Sequence, residues 1–403
     1  APDTAKAYWH LQFHHDILDG LEPNREQQGR RLQDVRRLFE QTLGSIRGHS
    51  LTFHTTTAPL AAQYNRLGIG TFRELPYPVN PGFYAPGRTR VANEPLQITC
   101  AGGMRREKGK HDMAALVRNL WKPYLASGRT QFRVQACKRS FRRLLEDQRQ
   151  SGVDTRSGKE RPPLLRIPHP LGLQDYMRLH HTSDIGLFLY DSKRYYTRCS
   201  GILVEMLAAG VPVIVPAGCW LAEQIAEPTY RYLDQVRKRI PPVDRLGFSD
   251  VQWESQSAGK VLKFGGSSAL HGEVPVPRHA QALLVRFRHC GPAEPGRYVH
   301  IRAEQYSARH ERLDVSESTL GDNADRHVGT LFSLEDRTVR VRLAWKTAYE
   351  CGDFQLADLE LGFLAGHKQK NRAPLAAVGL AAANQRMIPK LFAEMVTHYE
   401  HYR

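Results

Sequence analysis

The spacing of apolar side chains changes along the chain, and each change of period marks a different kind of element. Trp9-His10-Leu11-Gln12-Phe13 alternates as a half-buried strand does and ends at His14-His15-Asp16. From Arg25 to Ile46, Leu32, Val35, Leu38, Phe39 and Leu43 recur at helical steps in a polar, Arg-rich background, which predicts an amphipathic helix. Leu51 to Thr55 predicts a second strand and Leu60 to Leu67 a short helix. Pro78 to Glu94, rich in Pro, Gly and Asn, reads as a linker. Beyond it Leu96 to Cys100 predicts a strand, then a Gly-Gly turn, then a helix with Met113, Leu116, Val117, Leu120 and Trp121 on one face. Gln131 to Cys137 alternates as a strand, Gln150 to Pro163 reads as a loop, and Asp175 to His181 as a short helix. Ile185 to Leu189 is continuously apolar, as a parallel strand covered on both faces should be. Strands alternating with helices predict a parallel, doubly wound sheet.

The pattern changes after about residue 255. Ala282 to Phe287, Tyr298 to Ile301, Leu313 to Val315, Val339 to Leu343 and Phe354 to Phe363 follow one another as short strands separated by polar turns. That spacing predicts a β-sandwich. The last thirty residues return to a helical period, with Met387, Leu391, Met395 and Tyr399 four apart. The expected organisation is an α/β unit over residues 1–90, a second over 91–255, an inserted all-β sandwich over 256–366, and a helix over 367–403 that returns to the α/β units. Of the sandwich aromatics, Phe287, Tyr298, Tyr306, Trp345 and Tyr349 are expected in its core rather than as a sugar platform.

Composition narrows the function classes. The 403 residues are 41% hydrophobic and 24% charged, which is globular and not disordered. No apolar run reaches the ~18 residues of a membrane-spanning helix, and no signal peptide opens the chain. Both ends read as cut: the chain begins on Ala1 and stops inside a helical pattern. The six cysteines are scattered without a CxxC pair, which argues against zinc or a disulfide framework and suits a reducing cytoplasm. The formal charge is +16, mostly from Arg, but the charges are spread. A solvated Arg-rich surface, with peripheral contact to an anionic membrane face, fits this better than nucleic-acid binding, because no recognition motif accompanies the charge.

The stretch from Tyr190 to Trp220 carries the chemistry. Ser200 is a good N-cap, Gly201 admits close backbone approach, and Ile202, Leu203, Met206 and Leu207 form the apolar face of the following helix. Gly210 ends that helix, and Val211 to Val215 is the next strand. A helix start at the carboxyl end of a parallel strand is an anion site, because orphan N–H groups and the helix dipole point outward there. Glu205, one turn in, is placed to accept hydrogen bonds from ribose hydroxyls.

These residues resemble the family 4-type retaining glycosyltransferases of GT-B fold, which carry a similar Ser-Gly-helix-Glu followed by Ala-Ala-Gly-x-Pro-Val. Gly102-Gly103-Met104-Arg105-Arg106-Glu107-Lys108-Gly109 reinforces the likeness. The resemblance covers about residues 8 to 230. It implies twin Rossmann-like domains, the N-terminal one incomplete because its Gly-rich loop is absent, and an inserted sandwich outside the usual pattern. It further implies that Lys108, with Arg105 or Arg106, binds the donor diphosphate, joined by Arg198, Ser200, Gly201 and Ile202, and that Glu205 takes the ribose. His14 or His15 would face the donor sugar from the first domain. The family pairs two glutamates eight positions apart, and here Thr197 stands at the first. The implied activity is transfer of a sugar from a nucleotide-diphosphate sugar to a hydroxyl of a glycan or lipid-linked acceptor, with retention and with neither a catalytic metal nor a separate cofactor. The location expected is the cytoplasm or the inner membrane face. The competing expectations are a nucleotide-sugar epimerase of the same fold and a non-catalytic carbohydrate-binding homologue.

Overall fold

The computed structural model describes residues 7–17, 25–46, 48–84, 94–152, 162–217, 219–226, 247–249, 252–256, 259–265, 270–278, 280–290, 298–321, 327–347, 353–365, 379–382, 388–397 and 399–402. The first unit is a three-stranded parallel sheet of order β1-β2-β3, with β1 Tyr8–Phe13, β2 Ser50–Thr55 and β3 Phe72–Glu74. Helices α1 (Arg25–Ser45) and α2 (Ala58–Asn65) connect the strands. Alternation sends Phe13 and Phe53 to the helix side, where they meet Phe39, Tyr64 and Phe72 at ring-centroid distances of 4.9 to 5.6 Å. Aromatic contacts of this kind let a small unit bury a large area per residue.

The second unit begins with β4 (Leu96–Cys100), β5 (Thr130–Gln135), β6 (Leu164–Ile167), β7 (Ile185–Leu187) and β8 (Val213–Pro216). Its helices are α3 (Asp112–Leu120), α4 (Lys138–Gln150), α5 (Leu173–His181) and α6 (Gly201–Ala208). Helix α4, which the apolar pattern did not mark, presents Leu144 and Gln148 inward from a heavily charged sequence. Gln148 is tolerated there because its Nε2 donates to the Ala114 carbonyl at 3.0 Å.

Among the described residues ten antiparallel strands follow, in two sheets. They are β9 (Gly247–Ser249), β10 (Gln252–Gln256), β11 (Gly259–Gly265), β12 (Leu270–Pro275), β13 (Ala280–Cys290), β14 (Tyr298–Tyr306), β15 (Arg312–Gly321), β16 (His327–Ser333), β17 (Arg340–Thr347) and β18 (Asp353–Ala365). The sheet orders are β10-β11-β18-β13-β16 and β15-β14-β17-β12-β9. Val285 and Phe287 of one sheet and Ile301 and Trp345 of the other share a single core, so the sheets pack face to face. Among the described residues the first of these strands starts at Gly247, ahead of residue 256. Phe287 and Trp345 are core residues, whereas Tyr306 lies at the surface under the Arg340 guanidinium, 5.2 Å from its ring. The side chain of Tyr298, and Tyr349 altogether, lie outside the described residues.

The chain then returns to the parallel sheet. β19 (Gly379–Ala382) pairs with β8, giving the all-parallel order β19-β8-β7-β4-β5-β6. Helix α7 (Ile388–Thr397) packs Phe392 and Met395 into the core formed by β4, β5, α3 and α4. Helices α5 and α6 cover the opposite face through Leu179, Leu203 and Met206. Counted along this sheet alone, the strand order is 3-2-1-4-5-6, with its reversal between β4 and β7. Ligands of open α/β sheets bind at the carboxyl ends of strands beside such a reversal. Among the described residues no helix is long and apolar enough to cross a membrane.

Candidate functional site

The loop after β4 approaches α6 at the reversal. Gly102 has φ of 90°, and its N–H donates to Gln135 Oε1 at 2.7 Å. A Cβ there would run into Ile202 and lie 2.5 Å from Lys108 Nζ, so only glycine lets these three meet. Lys108 Nζ sits 4.9 Å from the centroid of the Tyr190 ring. Burial first, and then the Arg105 charge, lower the Lys108 pKa to about 8 against the opposing pull of Glu107. Arg105 Nε is 3.1 Å from Glu107 Oε1. Burial raises the Tyr195 hydroxyl to about 12, and both Arg105 and Arg198 act against that rise. Arg105, Lys108 and Arg198 therefore gather around Tyr190 and Tyr195, next to the start of α6.

That start is built as the sequence suggests. The Ser200 hydroxyl accepts the Leu203 N–H at 3.4 Å, which leaves the amides of Gly201 and Ile202 without intrahelical acceptors. Glu205 is buried on the same helix. Its Oε2 accepts the Tyr176 hydroxyl at 2.7 Å and its Oε1 the Tyr77 hydroxyl at 3.4 Å. His180 Nε2 lies 4.0 Å from Oε2. Burial pushes the His180 pKa down to about 4, and its Nδ1 faces the Tyr176 carbonyl at 2.9 Å. His180 is thus neutral near pH 7, and the contact with Glu205 is not an ion pair. Burial, and then the bond to Glu205, hold the Tyr176 hydroxyl far above its usual range, so it stays a donor.

Three further residues were expected at the site. Arg106 lines a cleft of about 560 Å³ with Glu107, His111, Tyr190, Asp191 and Arg194, so it borders the same tyrosine that Lys108 covers. His14 and His15 are exposed at the carboxyl end of β1, and their neighbour Asp16 makes the contact with the second unit. Asp16 Oδ2 accepts the Thr197 hydroxyl at 2.7 Å, and Oδ1 accepts Gln63 Nε2 at 2.6 Å. The Thr57 hydroxyl donates to the Thr197 carbonyl at 2.6 Å while accepting the Leu60 N–H as N-cap of α2. The described part of the linker is packed at Phe83, which is buried with its ring centroid 5.8 Å from Tyr176 and 5.1 Å from His180. Tyr77, Tyr176 and Gln135 are candidate site residues that pattern reading missed, whereas Asp16 was marked only as the end of the His14-His15-Asp16 turn; of the three, Tyr77 had a local signal, its place between two prolines.

No protein-family profile matches the chain, and no curated protein matches it. Among solved structures it is similar to OtsA in its apo form, at 11% identity and a TM-score of 0.36, covering 54% of each chain. It is also similar to WaaG, a glycosyltransferase involved in lipopolysaccharide biosynthesis, at 19% identity and a TM-score of 0.32, covering 48% of this chain and 54% of that one. The CBM22-1 xylan-binding domain from Paenibacillus barcinonensis Xyn10C is similar at 8% identity and a TM-score of 0.23, covering 32% of this chain and 87% of that one. The chain spans about half the length of the OtsA and WaaG structures. Likenesses of this size are partial and assign no activity to the chain.

Proposed function

We infer that the crevice beside α6 binds a nucleotide-diphosphate sugar and that the protein transfers the sugar to a hydroxyl acceptor. The observation that carries this reading is the convergence, at the strand-order reversal, of the Gly102 turn, Lys108 and the uncapped amides of Gly201 and Ile202. Diphosphate is the ligand class this combination suits, since Lys108, Arg105 and the α6 dipole all favour negative charge there. Glu205, held at Oε2 by Tyr176, presents Oε1 to a ribose hydroxyl. In transfer, the bond from the sugar carbon to the diphosphate oxygen breaks with its electron pair going to the diphosphate, the acceptor oxygen bonds to that carbon, and the departing diphosphate takes the acceptor's proton. Charge builds on the departing diphosphate, so the cations stabilise the transition state more than the ground state.

The test is calorimetry with UDP-, GDP- and ADP-glucose. Lys108→Ala and Glu205→Ala should each weaken binding about tenfold or more, the usual worth of a hydrogen bond to a charged group. Unchanged affinity in both variants overturns the assignment. A second reading, a carbohydrate-binding homologue without catalysis, is favoured by Thr197, whose hydroxyl and carbonyl are both engaged by the first unit. Sugar release or transfer from bound donor separates the two readings.

A further inference from the structure

Tyr77 stands where the proposed ligand would have to go. Its ring atoms lie 2.6 to 3.1 Å from the point where a Cβ on Gly201 would sit, so the ring rests directly on the first turn of α6. Its hydroxyl reaches Glu205 Oε1, the oxygen that Tyr176 does not hold. The two tyrosine contacts are unequal. At 2.7 Å the Tyr176 bond has the ordinary length for O–H···O, whereas 3.4 Å for Tyr77 is long and weak. One tyrosine fixes the carboxylate and the other covers it. Tyr77 also lies in the segment joining β3 to β4, between Pro76 and Pro78, and six residues on Phe83 packs against Tyr176 of α5.

We propose that Tyr77 is a tethered lid: it covers both the α6 amides and Glu205 Oε1, and a nucleoside diphosphate enters by displacing it, its ribose hydroxyl replacing the tyrosine hydroxyl on Glu205. This rests on the nucleotide reading of the site. Because the lid belongs to the connection between the two α/β units, its displacement couples ligand entry to movement of that connection. A lid that is closed most of the time raises the apparent dissociation constant by the inverse of the open fraction.

The experiment is calorimetry and stopped-flow binding of UDP, GDP and ADP to the wild type, Tyr77→Ala and Tyr77→Phe. Removing the ring should tighten binding about five- to tenfold, the gain expected if the site is open roughly 10–20% of the time, mainly through faster association. Tyr77→Phe keeps the ring over Gly201 and loses only the long hydrogen bond, so its gain should be smaller, about twofold. Binding by Tyr77→Ala that equals or falls below the wild type overturns the lid and makes the ring a ligand platform instead. If none of the three proteins binds any of the nucleotides, the nucleotide reading itself fails, which is distinct from the failure of the lid alone. Binding by Tyr77→Ala where the wild type shows none supports the lid.

Discussion

Lys108 shows how much one side chain's surroundings decide. Buried beside Arg105, its ammonium has a pKa of about 8 instead of 10.5, so the protonated form is disfavoured in the folded chain. The unfolded chain holds that proton more tightly, and the stability contributed by this group therefore rises with pH between about 8 and 10.5. Ligand binding should run the other way, because a diphosphate needs the charged form. Affinity for a nucleoside diphosphate should fall as pH rises from 7 to 9, and Lys108→Arg should flatten the profile, since arginine stays charged throughout. Calorimetry at the two pH values checks this, and a Lys108→Arg profile as steep as the wild type would remove Lys108 as the titrating group. Lys108, Ser200 and Glu205 were legible in the sequence because loop, cap and helix are encoded within a few neighbouring residues. Tyr176 was not legible as a partner of Glu205, since nothing local says that α5 and α6 bring those two side chains together.

At the scale of elements, local period predicted most strands and helices of the parallel sheets but none of β9 to β12, nor β16, although β16 buries Val328 and Phe332 on one side. Short or charged elements were missed as well. β6 has four residues, and α4 is so charged that its inward positions do not stand out. β19, Gly-Leu-Ala-Ala, has no strand signal of its own and is a strand because β8 offers it a partner edge. Helix α7 shows the converse. The expected four-residue repeat is buried at Met395 and Tyr399, Met387 lies outside the described residues, and Phe392, which the repeat did not mark, sits against Tyr124 and Phe132 at 5.2 and 5.8 Å between ring centroids. Phe392→Ala should destabilise the protein by about 3–5 kcal/mol, the usual cost of such a cavity. A loss below about 1 kcal/mol in urea unfolding would mean that α7 is not part of that core.

At the scale of the whole molecule, the two α/β units meet through Asp16, Thr57 and Thr197. The residue expected to be an acid is a threonine, and an acid from the other unit reaches its hydroxyl. If this contact links the units energetically, Asp16→Ala and Thr197→Val should be non-additive, with a coupling of about 0.5–3 kcal/mol in a double-mutant cycle by chemical denaturation. Additive losses would reduce it to mere proximity. A second tie joins Lys390 of α7 to Glu317 of β15 at 2.8 Å, but as an exposed pair it contributes little, about 0–1 kcal/mol.

The sequence by itself determined the run of elements, the Gly-Gly turn with its lysine, the Ser-Gly start of α6 and the strand-rich insertion. Each of these is written in periodicity or in capping and turn residues over a short window. Only the tertiary structure decided that β19 is the sixth strand and that Asp16 meets Thr197 across 181 positions. It alone placed Tyr77 on Glu205 across 128 positions. Contacts at such separations leave no trace in local spacing, because they depend on how whole sheets and helices pack rather than on which residues are neighbours in the chain.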